Sequence, residues 1–259
     1  MSHHIVEVTD LHYRYPGGKR EALSGVGFRI THGECVGIVG ANGAGKSTLL
    51  RHLNGYWVPE SGTVQIGDFP VTKKTVKYVR RTVGMVFQDP DDQLFMPTVY
   101  DDVAFGPLNM GLEPQEVAER VNRALETVGA GHLADRPPYR LSGGEKRAVA
   151  VATVLSMSPD ILVLDEPTSN LDPRARRSVM ELLRSFVHTR IIATHDLDMV
   201  LDLCPRTIVM CEGKVLADGN TLEIFKNDEL LSRCRLERPL RLQACPVCSG
   251  SVFFPPVFD

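Results

Sequence analysis

The chain has 259 residues, of which 43% are hydrophobic and 24% are charged; this composition suits a globular protein with a sizeable core and excludes disordered, collagen-like and coiled-coil chains. Its 29 basic and 32 acidic residues give a formal net charge of -3, which argues against a strongly basic nucleic-acid binder. No apolar run reaches the roughly 18 residues of a membrane span and the N-terminus lacks a signal-peptide pattern, so the sequence predicts a cytoplasmic protein.

The first third of the chain predicts a β layer followed by a strand, a loop and a helix. Polar and apolar residues alternate from about residue 5 to 30, and a turn signal at residues 15–18 divides the stretch into a hairpin. Residues 34–40 form a β-rich apolar run that ends in a glycine loop, and residues 46–53 favour a helix. Further strands are predicted around residues 62–66 and 83–87.

The middle of the chain predicts a helical insert, and strand–helix alternation returns after it. Apolar residues recur at four-residue spacing after Pro114 on a helix that Gly129 would end. Short apolar strands at residues 161–164 and 190–193 flank a predicted helix at 174–187, the pattern of a buried parallel sheet. The arginine-rich stretch from about residue 233 to 259 is predicted to be a loosely packed appendage.

The glycine loop matches the phosphate-binding motif G-x-x-x-x-G-K-[ST] in full, between a predicted strand and a predicted helix. Its glycines allow successive backbone N–H groups to turn inward and form a concave anion site at a helix N-terminus. The lysine would contact the β- and γ-phosphates and the serine would ligate Mg²⁺. A glycine-rich turn without a ligand is the alternative. The motif comprises Gly40, Ala41, Asn42, Gly43, Ala44, Gly45, Lys46 and Ser47.

Two acidic residues follow the buried strand at 161–164, where ligands of open α/β sheets bind. We expect Asp165 to hold the Mg²⁺ shell and Glu166 to orient or deprotonate the attacking water. An acidic pair after a strand is often only a solvated loop, but the phosphate loop favours the functional interpretation. His195 follows another apolar strand and would donate to the γ-phosphate, although a single histidine there is often structural.

Together with residues 141–145 (Leu-Ser-Gly-Gly-Glu), these motifs resemble those of the ATP-binding subunit of ATP-binding cassette (ABC) transporters, over roughly residues 4 to 230. The resemblance implies a P-loop NTPase core of RecA type, with an N-terminal antiparallel β layer and an inserted helical subdomain at about 89–158. The ATPase domain would cover residues 1–232 and the appendage residues 233–259.

The resemblance also assigns roles to further residues. Tyr15 resembles the aromatic residue that stacks on adenine, Gln88 the Q-loop glutamine that senses Mg²⁺ and water, and His195 the switch histidine, while residues 169–172 resemble the D-loop. It implies a head-to-tail dimer, in which the signature segment of one subunit closes over ATP held by the other. The nucleotide-contacting residues would then include Thr48 and the signature residues Ser142, Gly143 and Gly144.

The signature segment also has a purely structural interpretation. Ser142 followed three residues later by Glu145 forms a capping box at the start of a helix predicted over residues 146–157. The two interpretations are compatible, because a helix N-terminus with exposed glycines offers free N–H groups to a phosphate. Glu145 replaces the glutamine commoner in the family, and we do not place it in the nucleotide site.

The acidic stretch at residues 86–107 resembles the energy-coupling factor (ECF) group of ABC transporters, most of all its cobalt or nickel import ATPases (CbiO-like). That resemblance implies a pair of ATPase subunits on the cytoplasmic face of the membrane, bound to a T-component that works with a solute-binding S-component. An acidic surface loop is the structural alternative. Leu94, Phe95 and Phe105 would line a groove for partner helices or pack into the core of the insert.

The cysteine pattern in the sequence does not decide whether the chain has a structural metal site. Cys245 and Cys248 form a single C-x-x-C, whereas a structural zinc site usually has four ligands. Cys234 would add a third thiolate, and no fourth ligand stands at a suitable spacing. The sequence therefore favours reduced thiols on a tail, with a metal-sensing tail as the alternative.

Three classes of function compete for this sequence: an ATPase that drives import, a soluble ABC ATPase acting on nucleic acid or ribosomes, and an ATP-binding scaffold without hydrolysis. One cassette, a short insert and a slightly acidic balance argue against nucleic-acid binding. Retention of Lys46, Asp165, Glu166 and His195 argues against the scaffold. The sequence predicts an importer ATPase that uses ATP and Mg²⁺, with a metal or a vitamin as the solute.

Overall fold

The computed structural model describes residues 6–243 of the chain. The chain begins with an antiparallel sheet of four strands in the order β2-β1-β4-β5. Burial alternates along the second half of β2: Val26, Phe28 and Ile30 are buried and the residues between them are exposed, so one face of this sheet packs on the core. The predicted N-terminal β layer is confirmed. Its strands are β1 (Val6–Tyr13), β2 (Leu23–Ile30), β4 (Ser61–Ile66) and β5 (Phe69–Pro70).

A second sheet has six strands in the order β10-β9-β3-β8-β7-β6. Five of them run parallel, and only β10 pairs antiparallel with its neighbour. Every residue of β3, β6 and β7 is buried, as expected for parallel strands covered on both faces. The sequence analysis did not predict the two strands nearest the C-terminus, β9 and β10. The six are β3 (Cys35–Val39), β6 (Val83–Val86), β7 (Ile161–Asp165), β8 (Thr189–Thr194), β9 (Arg206–Cys211) and β10 (Lys214–Asn220).

Nine α-helices are present within residues 6–243, and three of them, α3 to α5, pack on one another as the inserted helical subdomain. Pro114 begins α4 and Gly129, at φ 69°, follows its end, as predicted. The helices are α1 (Lys46–Leu53), α2 (Val76–Thr82), α3 (Val99–Asn109), α4 (Pro114–Thr127), α5 (Gly143–Leu155), α6 (Pro173–Ser185), α7 (Leu197–Leu203), α8 (Thr221–Lys226) and α9 (Asp228–Arg233).

Two hydrophobic clusters cover the two faces of the six-stranded sheet. Alternate residues of β3 show the division: Val36 and Ile38 pack with the antiparallel sheet, whereas Cys35 and Val39 pack with the helical subdomain. Leu94 is 7% exposed and belongs to the helical cluster. The groove interpretation is therefore wrong for Leu94, whose side chain fills core space.

The start of the predicted appendage is well packed. Cys234 is buried, and Leu236 and Leu242 pack against the helical cluster. The Leu240 backbone N–H donates to Asp198 on α7 at 3.0 Å. The prediction of a loose segment is wrong for residues 234–243, because Cys234, Leu236 and Leu242 pack against the helical cluster. Cys245 and Cys248 lie outside the described residues.

Candidate functional site

Strand order brings the predicted site residues to one edge of the parallel sheet. The phosphate loop follows β3, His195 follows β8, Asp165 ends β7 and Gln88 comes two residues after β6. These four strands are consecutive neighbours, in the order β3-β8-β7-β6, and all run in the same direction. Their carboxyl ends therefore share one crevice, the usual ligand position of such sheets.

The phosphate loop has backbone geometry that glycine alone readily adopts. Gly43 and Gly45 have φ values of 81° and 103°, in the left-handed region that penalises side chains. Gly45 is also the N-cap of α1, and no side chain of the described residues caps the helix there. The first N–H groups of α1 are thus available to an anion, and the positive end of the helix dipole favours one.

Lys46 is buried in this loop and points back along it. Its Nζ donates hydrogen bonds to the carbonyl oxygens of Gly40, at 2.8 Å, and Ala41, at 3.4 Å. Glu166 Oε1 lies 3.9 Å from the same nitrogen. Burial lowers the pKa of Lys46, while the nearby carboxylates of Glu166 and Asp165 oppose that shift. Lys46 thus lies between backbone carbonyl groups and the carboxylate of Glu166, on the side of the loop where an anion would bind.

Asp165 is 3% exposed, and its Oδ1 has no hydrogen-bond partner among the described residues. Burial raises the pKa of this carboxyl; the Ser47 hydroxyl, which hydrogen-bonds it, and the Lys46 ammonium lower it in part. Burying a carboxylate oxygen without a partner costs free energy unless a cation or a hydrogen-bond donor contacts it. The Asp165 carboxylate and the Ser47 hydroxyl together offer the oxygen donors that Mg²⁺ prefers.

Glu166 is held rigidly beside the lysine. Its Oε2 accepts a hydrogen bond from the Thr194 hydroxyl at 2.9 Å and lies 2.9 Å from His195 Nδ1. The residue has φ 47°, an uncommon conformation for a residue with a side chain, and is 5% exposed. The His195 side chain is 63% exposed. Glu166 is thus anchored through one oxygen, while the other faces the phosphate loop.

Tyr15, which resembles the adenine-stacking aromatic residue of the family, lies beside the first turn of α1. Its hydroxyl is 2.8 Å from Thr48 Oγ1, and its ring is 41% exposed. Tyr13 and Trp57 contact the Tyr15 ring edge-on, with centroids 5.2 and 5.4 Å away. These contacts fix the ring while leaving part of its surface open, which suits base stacking.

Gln88 is exposed, and its backbone is held by a residue that the sequence analysis missed. Arg147 on α5 donates to the carbonyl oxygens of Phe87, at 2.7 Å, and Gln88, at 2.6 Å. Arg147 is 3% exposed, and burial lowers its pKa. The sequence shows an arginine three positions beyond Gly144, but it does not show that this residue is buried. Its partner is a backbone carbonyl 60 residues away, and such a contact leaves no pattern in the sequence.

Two more polar side chains hold the segment after Gln88 against the helical subdomain. Gln93 donates from Nε2 to the Ala150 carbonyl at 2.7 Å. Asp102, buried on α3, accepts the N–H groups of Phe95 and Met96 at 3.0 and 3.1 Å. The segment around Gln88 is therefore hydrogen-bonded to both α3 and α5.

The signature segment starts α5 with the predicted capping box. Ser142 Oγ accepts the Glu145 N–H at 3.3 Å, and the Glu145 carboxylate accepts the Ser142 N–H at 2.7 Å. These hydrogen bonds lower the pKa of Glu145. The Glu145 carboxylate already binds the backbone N–H of Ser142, which agrees with leaving Glu145 out of the nucleotide site. Ser142 and Gly143 are exposed, so the N-terminus of α5 faces outward.

A cleft of about 450 Å³ joins several of these elements within one chain. Gln88, Asp165 and Gly143 line it together with Asn170 of the predicted D-loop. Asp172, at the end of that loop, caps α6 by accepting the N–H groups of Arg174 and Ala175 at 2.9 and 3.0 Å. The D-loop thus lies between the acidic strand end and the signature segment.

Comparison with known proteins agrees with this arrangement. The family model described as ABC transporter matches residues 23–169. The chain belongs to the ABC transporter family. An ABC transporter ATP-binding protein of Geobacter sulfurreducens is 71% identical over 248 residues, which cover 96% of this chain and 99% of the relative. The energy-coupling factor transporter ATP-binding protein EcfA1 of Methanospirillum hungatei is 46% identical, over 92% of this chain and 87% of that protein.

Among solved structures, the chain is similar to CbiO1 of Clostridium perfringens, described as part of the ABC transporter complex CbiONQ. The TM-score is 0.77 at 43% identity, over 89% of this chain and 94% of that one. The ABC ATPase fold is confirmed, and with it ATP binding and ATPase activity. Among residues 6–243, no helix has the length and apolarity to cross a bilayer.

Proposed function

We propose that this ABC ATPase powers import of a small solute, a cobalt or nickel ion, through an ECF-type membrane transporter. Similarity to EcfA1 and to a component of the CbiONQ complex supports the ECF assignment. One observation carries the transport role: an exposed aromatic pair, Phe95 and Phe105, stands on the helical subdomain and shares a segment with Gln88. The subunit would sit peripherally on the cytoplasmic face of the membrane.

The nucleotide would occupy the phosphate loop with its base against Tyr15. The N–H groups at the start of α1 and the Lys46 ammonium would hold the phosphates, and Lys46 would then exchange its hydrogen bond to the Gly40 carbonyl for one to phosphate. Mg²⁺ would be held by Ser47, Asp165 and Gln88, and when bound it neutralises charge on the β- and γ-phosphates. The unpartnered Oδ1 of Asp165 fits that role.

Hydrolysis would depend on Glu166 and His195. Once Lys46 turns to phosphate, Glu166 Oε1 is free to accept a proton from water, while Thr194 holds Oε2 in place. His195 Nδ1 lies against Glu166, so the ring is oriented, and in its imidazolium form, which carries an N–H on both nitrogens, it would donate from Nε2 to the γ-phosphate. This division assigns the proton to Glu166 and phosphate stabilisation to His195.

A second subunit, identical or related, would complete the site. The exposed N-terminus of α5, with Ser142, Gly143 and Gly144, offers N–H groups to a γ-phosphate bound on the partner. The buried half-site around Lys46 and the exposed signature segment are complementary, which suits a head-to-tail dimer with two nucleotides between the subunits.

The coupling surface is formed by Phe95 and Phe105. The two rings meet edge-on with centroids 5.0 Å apart, and they are 63% and 43% exposed. They border a groove of about 320 Å³ that also contains Met85, Gly106 and Met157. Apolar grooves of this kind accept amphipathic helices, so we assign this one to the T-component. Helix movement there would reach Gln88 through Gln93 and Arg147.

Substitution of Phe95 tests the transport role. We expect Phe95→Asp to leave folding and basal ATPase activity unchanged, because the ring is exposed, and to abolish co-purification with the membrane subunits and ATP-driven uptake. The matched control is Val187→Asp, which charges a residue that is 77% exposed and lies between α6 and β8. Uptake that survives Phe95→Asp would remove this surface from coupling.

The solute is identified by transport in vesicles that carry the complete transporter. Uptake of labelled Co²⁺ or Ni²⁺ that requires ATP and stops with Glu166→Gln supports the metal. Uptake of a vitamin under the same conditions, with no metal uptake, would retain the ECF role and refute the choice of metal. Co-purification with RNA instead of membrane subunits would refute both.

A further inference from the structure

The stretch between β5 and the end of α2 carries a dense cluster of positive charge. Five of the nine residues from 73 to 81 are lysine or arginine and none is acidic, although the whole chain has a formal net charge of -3. We call this cluster the basic patch. Its residues are Lys73, Lys74, Lys77, Arg80 and Arg81.

All five residues of the basic patch are exposed. Lys77, Arg80 and Arg81 are three and four positions apart on α2, so they share one face of the helix. Val79 and Thr82 are buried on the opposite face. Among the residues that the structure describes, no acidic side chain forms an ion pair with the patch. The patch therefore presents five positive charges to its surroundings.

Two hydrogen bonds hold the basic patch beside the helical subdomain. Arg81 donates from its guanidinium to the Met110 carbonyl at 2.7 Å, directly after the end of α3. Arg80 donates to the Gly55 carbonyl at 3.2 Å, and it also lines the groove of the coupling surface. The basic patch is therefore continuous with the surface assigned above to the T-component.

Aromatic side chains border the basic patch at the edge of the antiparallel sheet. The rings of Phe69, on the edge strand β5, and Tyr78, on α2, pack together with centroids 4.0 Å apart. Phe69 is 39% exposed, and Pro70 beside it is exposed as well. Aromatic side chains next to lysines and arginines are typical of surfaces that lie at a membrane interface.

We propose that the basic patch binds anionic phospholipid headgroups of the cytoplasmic leaflet while the neighbouring groove holds the T-component. Charge complementarity favours lipid over a membrane subunit as the occupant, because cytoplasmic loops of membrane proteins are themselves rich in lysine and arginine. Each cation near an anionic leaflet strengthens binding roughly fivefold. Contact with lipid would keep the groove turned toward the membrane. The inference rests on the proposed transport role, since Arg80 joins the patch to the groove.

Vesicle binding by the purified full-length chain tests this contact without any membrane subunit. In about 0.1 M salt, the wild type should bind vesicles of phosphatidylcholine with about 30% phosphatidylglycerol at least tenfold more tightly than pure phosphatidylcholine vesicles. Raising the salt to about 1 M should release it, because exposed charges are then screened. Lys73→Gln/Lys74→Gln/Lys77→Gln should weaken binding to the anionic vesicles at least tenfold, with basal ATPase activity unchanged.

The matched control removes the same charge from exposed positions outside the basic patch. It is Arg177→Gln/Arg184→Gln/Lys214→Gln, and it should keep the binding to anionic vesicles. An equal loss in this control would overturn the proposal, because net charge and not the patch would then decide binding.

Two further results would overturn the proposal. The first is wild-type protein that shows no preference for anionic vesicles at low salt. The second is tighter binding to single-stranded RNA than to the anionic vesicles, which would assign the patch to nucleic acid. Failure of vesicle binding leaves the transport role intact, because uptake with Phe95→Asp tests that role separately.

Discussion

The two nucleotide-facing regions of this ATPase differ in how far they are buried. Lys46, Asp165 and Glu166 are 7%, 3% and 5% exposed, and they contact one another within the sheet edge. Ser142 and Gly143, at the start of α5, are exposed. One region is thus assembled by the fold of a single chain, while the other presents free backbone groups outward. The contrast suggests a site divided between two subunits.

The buried region also carries an electrostatic cost that the exposed region avoids. Burial raises the pKa of Asp165 and lowers the pKa of Lys46, so both charged forms are disfavoured by loss of water. Enclosed charges of this kind are common at catalytic sites. Phosphate and Mg²⁺ would supply partners for them, so nucleotide binding should stabilise the chain.

The largest expected effect comes from removing the charge on Glu166. Glu166→Gln keeps a side chain of the same shape but cannot accept the proton of the attacking water, so hydrolysis should fall about 10²–10⁴-fold. ATP affinity should stay close to that of the wild type, and uncleaved ATP should trap a dimer. Single-turnover hydrolysis and sedimentation with Mg-ATP measure the two effects. Hydrolysis at the wild-type rate would show that Glu166 is not the base.

The divided site is tested next by complementation. Lys46→Ala removes the buried region's cation, and Gly143→Asp places a negative charge at the exposed N-terminus of α5, so each protein alone should hydrolyse ATP at least tenfold more slowly. A head-to-tail dimer of one chain of each kind contains one intact site. Mixing the two proteins should therefore restore part of the activity.

The dependence of ATPase activity on the ratio of the two variants provides the control for this complementation. Restored activity should peak at equal amounts of the two variants and should be absent when both changes are on the same chain. No recovery at any ratio, with both variants folded, would contradict a site shared between subunits.

Arg147, on the same helix as the exposed Gly143, holds the backbone of Gln88, and its replacement should have a smaller effect. Arg147→Met loses both hydrogen bonds to the backbone of Phe87 and Gln88, whereas Arg147→Lys keeps the charge with a single donor head. We expect about a tenfold decrease in kcat for Arg147→Met, little change in ATP affinity, and partial rescue by Arg147→Lys. Equal losses in kcat and nucleotide affinity would indicate general disruption of the fold.

Much of the buried region could be predicted from sequence because its signals are local. The phosphate loop joins adjacent elements, and Asp165 directly follows the apolar residues of its own strand. The order of the strands in that sheet was not predicted from the sequence. The roles assigned to Glu166, His195 and Gln88 remain predictions, supported by their position at the sheet edge.

The contacts that sequence could not predict join distant parts of the chain. Arg147 binds carbonyl groups, which every residue carries, so no residue pattern identifies its partners. Cys211 meets Cys234 only because β9 and α9 end at the same place. Leu94 and the adjacent Phe95 are 7% and 63% exposed, and hydrophobicity alone does not decide which of the two side chains faces the core.

The smallest effect expected is a gain in stability. Asp165→Asn removes a buried charge whose raised pKa shows that the fold disfavours it. We expect the nucleotide-free variant to gain about 1 kcal/mol and to melt about 2–4 °C above the wild type. Mg-ATP should stabilise it less than it stabilises the wild type. The exposed residue Asp92 provides the control, since Asp92→Asn changes no buried charge.

The pH dependence of this gain is the sharpest check on its cause. Because the pKa of Asp165 is raised in the folded state, the stability that the protonated carboxyl contributes is present at low pH and lost as pH rises through that pKa. The asparagine is neutral throughout, so the difference in melting temperature should be largest near neutral pH and shrink toward the ordinary value of 3.8. A difference that stays constant with pH would mean that the gain does not come from the charge of Asp165. A variant less stable than the wild type at neutral pH would mean that attraction to Lys46 outweighs the cost of burial.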